Sequence, residues 1–317
     1  MRYLKNRWAI TAMNLLALLA IIYYFFNNSG DFEHLGDIGI LVLFATLVIQ
    51  MGSLFVTGLF IRLSVLPLGI NVPLKDGFSA AILSALGNFF MPAGSGTSLR
   101  AVYLKKLHNL DYSSFMSTLY GNYIIVFFVN ALAGGVALVF LGGYSKHFRY
   151  WVIASVLLGF FVGSLFFMSK KINRYIVMVS KLKFMPQKIS KYTVVMIEGW
   201  RTIVASKELG PTILLAAVNT LLQVMVLYLV SLSVAPDVNL SGVVLLSSLS
   251  AFSIIINITP GSIGIRETIF AFSAFAMNAS VTEVVLISLI ERLTRFIAML
   301  FGWLITYRYR TKQISQI

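Results

Sequence analysis

Long apolar runs separated by short polar or basic segments make up most of this chain. A run of about 18 residues or more is long enough, at ~1.5 Å per helical residue, to cross most of a hydrocarbon core of ~30 Å. Six runs fulfil this condition and do not end at a proline–glycine break: residues 8–26, 38–61, 115–141, 151–168, 211–235 and 281–307. The pattern therefore predicts an all-α polytopic membrane protein with about six full spans.

Two further apolar runs, residues 78–91 and 240–258, end at proline and glycine instead of continuing across the membrane. A 14-residue helix such as 78–91 reaches only ~21 Å. Broken helices at membrane depth are tolerated where protein buries them or where they line a wet cavity. We therefore predict two re-entrant broken-helix hairpins, which bring the hydrophobic segments to about eight. The residues of the two breaks are Pro92, Gly94, Ser95 and Gly96, and Pro260, Gly261, Ser262 and Gly264.

The order span, span, hairpin, span occurs in residues 1–145 and again in residues 146–317, with opposite orientation in the membrane. Paired interrupted segments in corresponding halves indicate an inverted-repeat transporter whose binding site lies where the breaks meet. Residue identity between the halves is slight, so a chance register of two unrelated loops is the alternative. We predict one transmembrane domain over residues 1–317, built from these two pseudo-repeats.

Composition and charge agree with a membrane protein. Hydrophobic residues make up 58% of the chain and charged residues 11%, whereas charged residues are about a quarter of a soluble domain. The net charge of +14 follows the predicted topology, since Lys and Arg concentrate near both termini and in a basic loop over residues 169–208. This distribution predicts cytoplasmic termini in a prokaryotic plasma membrane, and it argues against nucleic acid as a partner.

The basic loop contains apolar residues at helical spacing, which indicates either an amphipathic helix on an anionic leaflet or an ordinary cytoplasmic loop. These residues are Ile189, Tyr192, Met196, Trp200 and Ile203. The chain has no cysteine, and its three histidines, which we interpret as interfacial or loop residues, are scattered. We predict neither a metal site nor a cofactor.

Charged residues within the predicted membrane region mark the candidate site, because such residues are costly in a bilayer and by default functional. Glu291 and Arg295 are four residues apart and can pair on one helix face. The full candidate set is Arg266, Glu267, Glu291, Arg292, Arg295 and, from the first hairpin, Arg100. Arginines outnumber carboxylates in this set, which favours a phosphate ligand. The alternative is an internally neutralised network that only joins helices.

The sequence from Pro260 to Glu267, the cluster Glu291 to Arg295 and the stretch from Pro92 to Arg100 resemble the membrane region of lysylphosphatidylglycerol synthases. That resemblance implies a flippase-like protein in which Arg266, Glu267, Arg292 and Arg295 line a lipid headgroup path. Ser262 stands where typical members have a second glycine. Two-part synthases carry a soluble aminoacyltransferase domain after the last span, and this chain ends at Ile317, so we do not expect lysyltransferase activity.

Three functions are compatible with these features. The first is a translocase for an anionic or modified phospholipid or a polyprenyl-phosphate-linked lipid, with anionic membrane lipids as ligands and a separate lipid-modifying enzyme as a candidate partner. The second is an intramembrane enzyme or subunit of lipid modification, in which Glu267 or Glu291 would act as acid or base. The third is a transporter of small anions or solutes, which differs from the first in cavity size. Oligomeric state does not follow from the sequence.

Overall fold

The computed structural model describes residues 39–90, 95–141, 159, 198–252 and 265–314, and it describes only the backbone of Ile265, Glu267 and residues 308–314. Within these residues the protein is helical and contains no strand, as the all-α prediction requires. The predicted spans at 8–26 and 151–168 lie outside the described residues, apart from Gly159. The helices are α1 Ile40–Val65, α2 Leu74–Phe90, α3 Ser95–His108, α4 Tyr112–Phe140, α5 Leu209–Val234, α6 Leu240–Phe252, α7 Ile265–Met277 and α8 Val281–Ile314.

Three described helices are long and apolar enough to cross a membrane: α1 with its following 3-10 turn, α4 and α5. They coincide with three of the predicted spans, and α8 occupies the position of a fourth. Large apolar side chains face outward, among them Leu41 and Val139, each 79% exposed. Lipid tails are the environment that accommodates such a surface, so the protein is an integral membrane protein.

The helix boundaries follow from local turn chemistry. α1 gives way to a 3-10 turn that contains Pro67, and Gly69 closes that turn with φ +78°. Asn109 and Asn278 end α3 and α7 with φ values of +54° and +58°, a conformation that asparagine tolerates better than most residues. α8 begins with a capping box, in which Ser280 N donates to Glu283 Oε2 (2.6 Å) and Glu283 N donates to Ser280 Oγ (3.2 Å).

The short helices form two pairs, α2 with α3 and α6 with α7. A Cβ atom on Gly96 of α3 would lie 1.9 Å from the carbonyl oxygen of Ser84 in α2. A Cβ on Gly242 of α6 would similarly lie 2.2 Å from the carbonyl oxygen of Ala276 in α7. Glycine therefore sets the close approach of the helices in both pairs.

In the first pair, a buried polar cluster joins the start of α2 to the end of α3. Asp76, only 1% exposed, accepts a hydrogen bond from Tyr103 Oη (3.1 Å) and lies 3.0 Å from His108 Nε2. His108 is thus the last residue of α3 rather than a loop residue, and a buried carboxylate lies beside it. In the second pair, the residue before α6 bonds to the last residue of α7: Asn239 N donates to the Met277 carbonyl (2.9 Å).

The long helices pack against one another and against the two pairs of short helices. α1 and α5 run antiparallel, because Val42 belongs to the same apolar cluster as Val230, whereas Phe60 packs with Ala216. α2 packs on α8, where the Phe89 and Phe296 rings stack at 5.3 Å between centroids. α6 packs on α4 with the equivalent stack of Phe252 on Phe127 at 5.1 Å.

The last part of the basic loop is docked on the protein. Residues 198–204 are helical, and Trp200 and Ile203 are buried among residues of α4 and α5. A Cβ on Gly121 would lie 2.5 Å from the Trp200 ring, so this glycine provides the space that the indole fills. For these two residues the prediction of an amphipathic face on the leaflet is wrong, because protein covers them. The other three apolar residues of that face lie outside the described residues.

Candidate functional site

Glu291 of α8 is the centre of the charged cluster. Its side chain is fully buried, and two arginines reach it from different elements. Arg266 Nη2 of α7 lies 2.9 Å from Glu291 Oε2, and Arg295 Nη2, one turn further along α8, lies 3.0 Å from Glu291 Oε1. The pairing of Glu291 with Arg295 is the one expected from their spacing. Arg266 joins them because the start of α7 packs beside α8.

Uncharged polar residues of α1 and α5 extend the cluster. Gln50 Nε2 donates to Glu291 Oε1 at 3.4 Å, and Arg295 Nη2 donates to Gln223 Oε1. Gln223 Nε2 in turn donates to Ser53 Oγ (2.8 Å), whose hydroxyl donates to Asn219 Oδ1 (2.7 Å). A continuous chain of hydrogen bonds therefore links α1, α5 and α8, and the Arg266 ion pair adds α7. We refer to these residues as the Gln223 chain: Ser53, Asn219, Gln223 and Arg295.

The cluster lies near the middle of two spanning helices. Gln50 and Ser53 are central in the 26-residue α1, and Asn219 and Gln223 are central in the 26-residue α5. At ~1.5 Å per residue, these positions are more than 10 Å from either helix end. Ionised groups at such a depth are stable only when they are paired or hydrated. Glu291 meets this requirement through its two arginines.

The arginines keep donor capacity beyond these bonds. Nε of Arg266 and Nε of Arg295 are both enclosed and have no hydrogen-bond partner among the described residues. Arg266 also stacks over the Phe270 ring at 5.3 Å, which leaves its in-plane donors available. Arg295 is the most exposed member, with 34% of its side chain accessible against 13% for Arg266. A ligand with several acceptor oxygens would satisfy these donors.

Arg292 and Arg100 occupy different surroundings. Arg292 follows Glu291 on α8 and is half-buried, so it contributes a further positive charge at the cluster. The Arg100 guanidinium instead lies over the Phe115 ring of α4, 5.3 Å from its centroid, and its Nε is enclosed without a hydrogen-bond partner in the described part of the chain. The contacts of the Glu291 cluster therefore unite Arg266, Glu291 and Arg295, while Arg100 belongs to the first helix pair.

The predicted break residues are only partly described. Ser95 and Gly96 begin α3, and the Gly96 N–H donates to Asn88 Oδ1 at 3.1 Å. That donor is therefore occupied within the protein, and the close contact with Ser84 explains why this position is a glycine. Pro92, Gly94, Pro260, Gly261, Ser262 and Gly264 lie outside the described residues, as does the side chain of Glu267. Where the structure describes the chain, no three His, Asp or Glu side chains converge to hold a metal ion.

A family model described as the lysylphosphatidylglycerol synthase TM region matches residues 8–302. The chain belongs to this family. The match includes α1 to α7 and the part of α8 that carries Glu291, Arg292 and Arg295, so every described residue of the cluster lies within the family region. Comparisons with curated proteins and with solved structures gave no match.

Sequence reasoning missed the uncharged half of the cluster. Gln50, Ser53 and Gln223 each have apolar or glycine neighbours inside an apolar span, and Asn219 stands beside Thr220; of the four, only Gln50 and Ser53 are buried. The one signal in the sequence is that an amide side chain in a span needs a hydrogen-bonding partner. That signal does not specify the partner, because it depends on which helices cross at that depth.

Proposed function

We propose that this member of the lysylphosphatidylglycerol synthase TM region family is a lipid translocase. Its substrate is a phospholipid or polyprenyl-linked lipid with an anionic, phosphate-bearing headgroup. The observation that carries the proposal is the buried Glu291 carboxylate, which holds two arginines whose enclosed Nε donors have no hydrogen-bond partner in the described part of the chain. Three arginines belong to this region, and even with Glu267 counted they exceed the carboxylates by one.

Arginine suits a phosphate ligand because its planar guanidinium donates two hydrogen bonds to neighbouring oxygens. In the low dielectric of the membrane interior, an excess positive charge attracts an anion more strongly than it does in water. Glu291 fixes the guanidinium groups before the ligand arrives, which lowers the cost of ordering them on binding. Arg100 provides a further cationic contact from the first helix pair.

An inverted repeat supports transport by alternating exposure of this site. The order long helix, short pair, long helix occurs twice, first in α1 to α4 and then in α5 to α8. The matched helices begin at nearly constant offsets: 169 residues for Ile40 and Leu209, 166 for Leu74 and Leu240, 170 for Ser95 and Ile265, and 169 for Tyr112 and Val281. Asn109 and Asn278, which end α3 and α7 with positive φ, are also 169 residues apart. The pairing of α2 with α8 corresponds under this exchange to that of α6 with α4.

Both short pairs fit the proposed re-entrant hairpins. α6 and α7 have 13 residues each and extend only ~20 Å, less than the hydrocarbon thickness. In the proposed topology one hairpin starts at the cytoplasmic side and the other at the external side of a prokaryotic plasma membrane, with both termini cytoplasmic. The breaks at Pro92 and Pro260 then meet near the midplane and line the headgroup path. A separate lipid-modifying enzyme would supply the substrate.

The function is tested in cells by lipid analysis combined with labelling of the outer leaflet. Cells without the gene are complemented with wild type, Arg295→Gln or Arg201→Gln, the last being a matched control at an exposed arginine outside the cluster. We expect one phosphate-bearing lipid to lose its outer-leaflet fraction without the gene and with Arg295→Gln, and to regain it with wild type and Arg201→Gln. An unchanged leaflet distribution of all anionic lipids would contradict a translocase.

A further inference from the structure

The Gln223 chain connects Arg295 of the cluster to the spanning helices α1 and α5. Gln223 Oε1 accepts a hydrogen bond from Arg295 Nη2, and the other end of the same amide donates to Ser53 Oγ. Ser53 Oγ donates onward to Asn219 Oδ1, so the direction of each bond in the chain is defined. An amide held at both ends in this way cannot rotate without breaking a hydrogen bond.

Resting on the function proposed above, we propose that Gln223 is a positioning residue for the ligand phosphate. It orients the Arg295 guanidinium without adding a negative charge to the cluster. Two properties of the side chain matter separately. Its carbonyl oxygen and Glu291 Oε1 both accept from Nη2 of Arg295, so the remaining N–H donors of the guanidinium are directed to a ligand. Its neutrality keeps the site positive, which a carboxylate at the same position would not.

The geometry favours orientation over simple helix joining. Arg295 already pairs with Glu291 on its own helix, so α8 does not need Gln223 to neutralise the arginine. Glu291 alone fixes one point of the guanidinium, about which the group can still rotate. A second acceptor on a different helix fixes its plane. Because Ser53 and Asn219 tie that acceptor to both α1 and α5, the orientation of Arg295 depends on how these helices pack.

The test uses purified protein in neutral phosphatidylcholine nanodiscs and measures its apparent affinity for added phosphatidylglycerol from the rise in the thermal unfolding midpoint. Gln223→Leu removes both hydrogen bonds, and we expect about tenfold weaker binding, the scale of one charge-assisted hydrogen bond. Gln223→Glu keeps the acceptor but adds a second carboxylate beside Arg295 and so removes the net positive charge of the site, and we expect a loss of similar size with a lipid-free midpoint at least equal to that of wild type. Thr57→Val is the control, because the Thr57 hydroxyl donates to the carbonyl of Ser53 within α1 and has no bond to the cluster among the described residues. This variant should bind phosphatidylglycerol as wild type does.

A double-mutant cycle separates positioning from a structural role. In an Arg295→Gln background, Gln223→Leu should weaken binding less than twofold, because no guanidinium is left to orient. A Gln223→Leu variant that loses stability but binds phosphatidylglycerol as wild type does would overturn the proposal, and so would a tenfold loss that persists without Arg295. If Gln223→Leu does not fold, Ser53→Ala removes the anchor of the amide; weaker binding then supports the proposal, and wild-type binding overturns it.

The same measurements keep this inference distinct from the proposed function. If Arg295→Gln itself binds phosphatidylglycerol as wild type does, the proposal of a phosphate site at this cluster is wrong. The proposed positioning role of Gln223 is then wrong as well. If Arg295→Gln binds weakly while Gln223→Leu and Gln223→Glu bind normally, only the positioning role is wrong. Inorganic phosphate added in place of the lipid distinguishes a lipid headgroup from a free anion, since we expect it to stabilise wild type much less at equal concentration.

Discussion

Glu291→Gln removes one negative charge from a fully buried side chain between Arg266 and Arg295 and keeps its shape. Each ion pair has an N–O distance near 3 Å, which corresponds to roughly 5 kcal/mol of Coulomb energy at an effective dielectric constant of about 20. Desolvation of the carboxylate offsets a large part of this. Breaking a buried pair by removal of one partner costs about 3–5 kcal/mol, because the remaining charge stays buried. We expect a loss of stability in this range for the lipid-free protein.

The ligand response should change in the opposite direction. Without the Glu291 charge the site is more positive by one unit, so an anionic headgroup can take the place of the carboxylate between the two guanidinium groups. This added attraction, ~4 kcal/mol at about 4 Å and an effective dielectric constant of about 20, exceeds the about 0.5–1.5 kcal/mol per side chain that is lost when Glu291 no longer orders the guanidinium groups. Thermal unfolding, followed by tryptophan fluorescence, is compared with added phosphatidylglycerol and with added phosphatidylcholine. We expect phosphatidylglycerol to raise the midpoint of Glu291→Gln by more than it raises that of wild type, and phosphatidylcholine to affect both equally.

Glu283→Gln is the matched control, because Glu283 is a half-buried residue in the first turn of the same helix, outside the cluster, and glutamine preserves its capping role. It should change stability by less than about 0.5 kcal/mol and leave the lipid response unaltered. A Glu291→Gln variant as stable as wild type would refute the electrostatic reasoning. A destabilised variant that gains no more from phosphatidylglycerol than wild type does would show that the cluster only joins helices.

Three further predictions follow from other parts of the molecule. Arg292→Lys should fold normally but bind phosphatidylglycerol ~1–3 kcal/mol more weakly, because an ammonium group cannot donate two parallel hydrogen bonds to phosphate; equal lipid stabilisation of variant and wild type in thermal unfolding would contradict this. Gly96→Ala should destabilise the protein by about 1–3 kcal/mol through the clash with Ser84, measured by the same unfolding assay, and a wild-type midpoint would show that α2 and α3 do not pack this closely. A cysteine introduced at position 188 of this cysteine-free chain should react with a membrane-impermeant maleimide only after cells are opened, and labelling of intact cells would overturn the proposed topology.

The parts of the fold that the sequence predicted well depend on short-range patterns. The apolar lengths of α1, α4 and α5 identified them as spans, and the four-residue spacing of Glu291 and Arg295 predicted their ion pair. These features need no knowledge of which helices are neighbours. Helix length and i,i+4 contact are properties of a single helix.

The parts that were missed or wrong depend on packing between helices. Gln223 meets Arg295 only because α5 crosses α8 at that depth, and nothing in the apolar pattern of α5 specifies this. Neither reading of the basic loop, a face on the leaflet or an ordinary loop, placed Trp200 among α4 and α5, because periodicity shows an apolar face but not what covers it. Gly96 was predicted only as part of a helix break, whereas its N–H is bound by Asn88 and its missing side chain makes room for α2.

Transbilayer movement of a headgroup-labelled phosphatidylglycerol in proteoliposomes tests the central claim most directly. Dithionite added outside bleaches only the label that reaches the outer leaflet, so the inner-leaflet fraction stays protected unless the protein moves it. We expect wild-type protein to expose this fraction, Arg295→Gln to leave it protected as in protein-free vesicles, and Arg201→Gln to behave as wild type. Equal protection with wild type and with empty vesicles, or equal exposure with wild type and Arg295→Gln, would contradict a translocase that recognises a phosphate through this cluster.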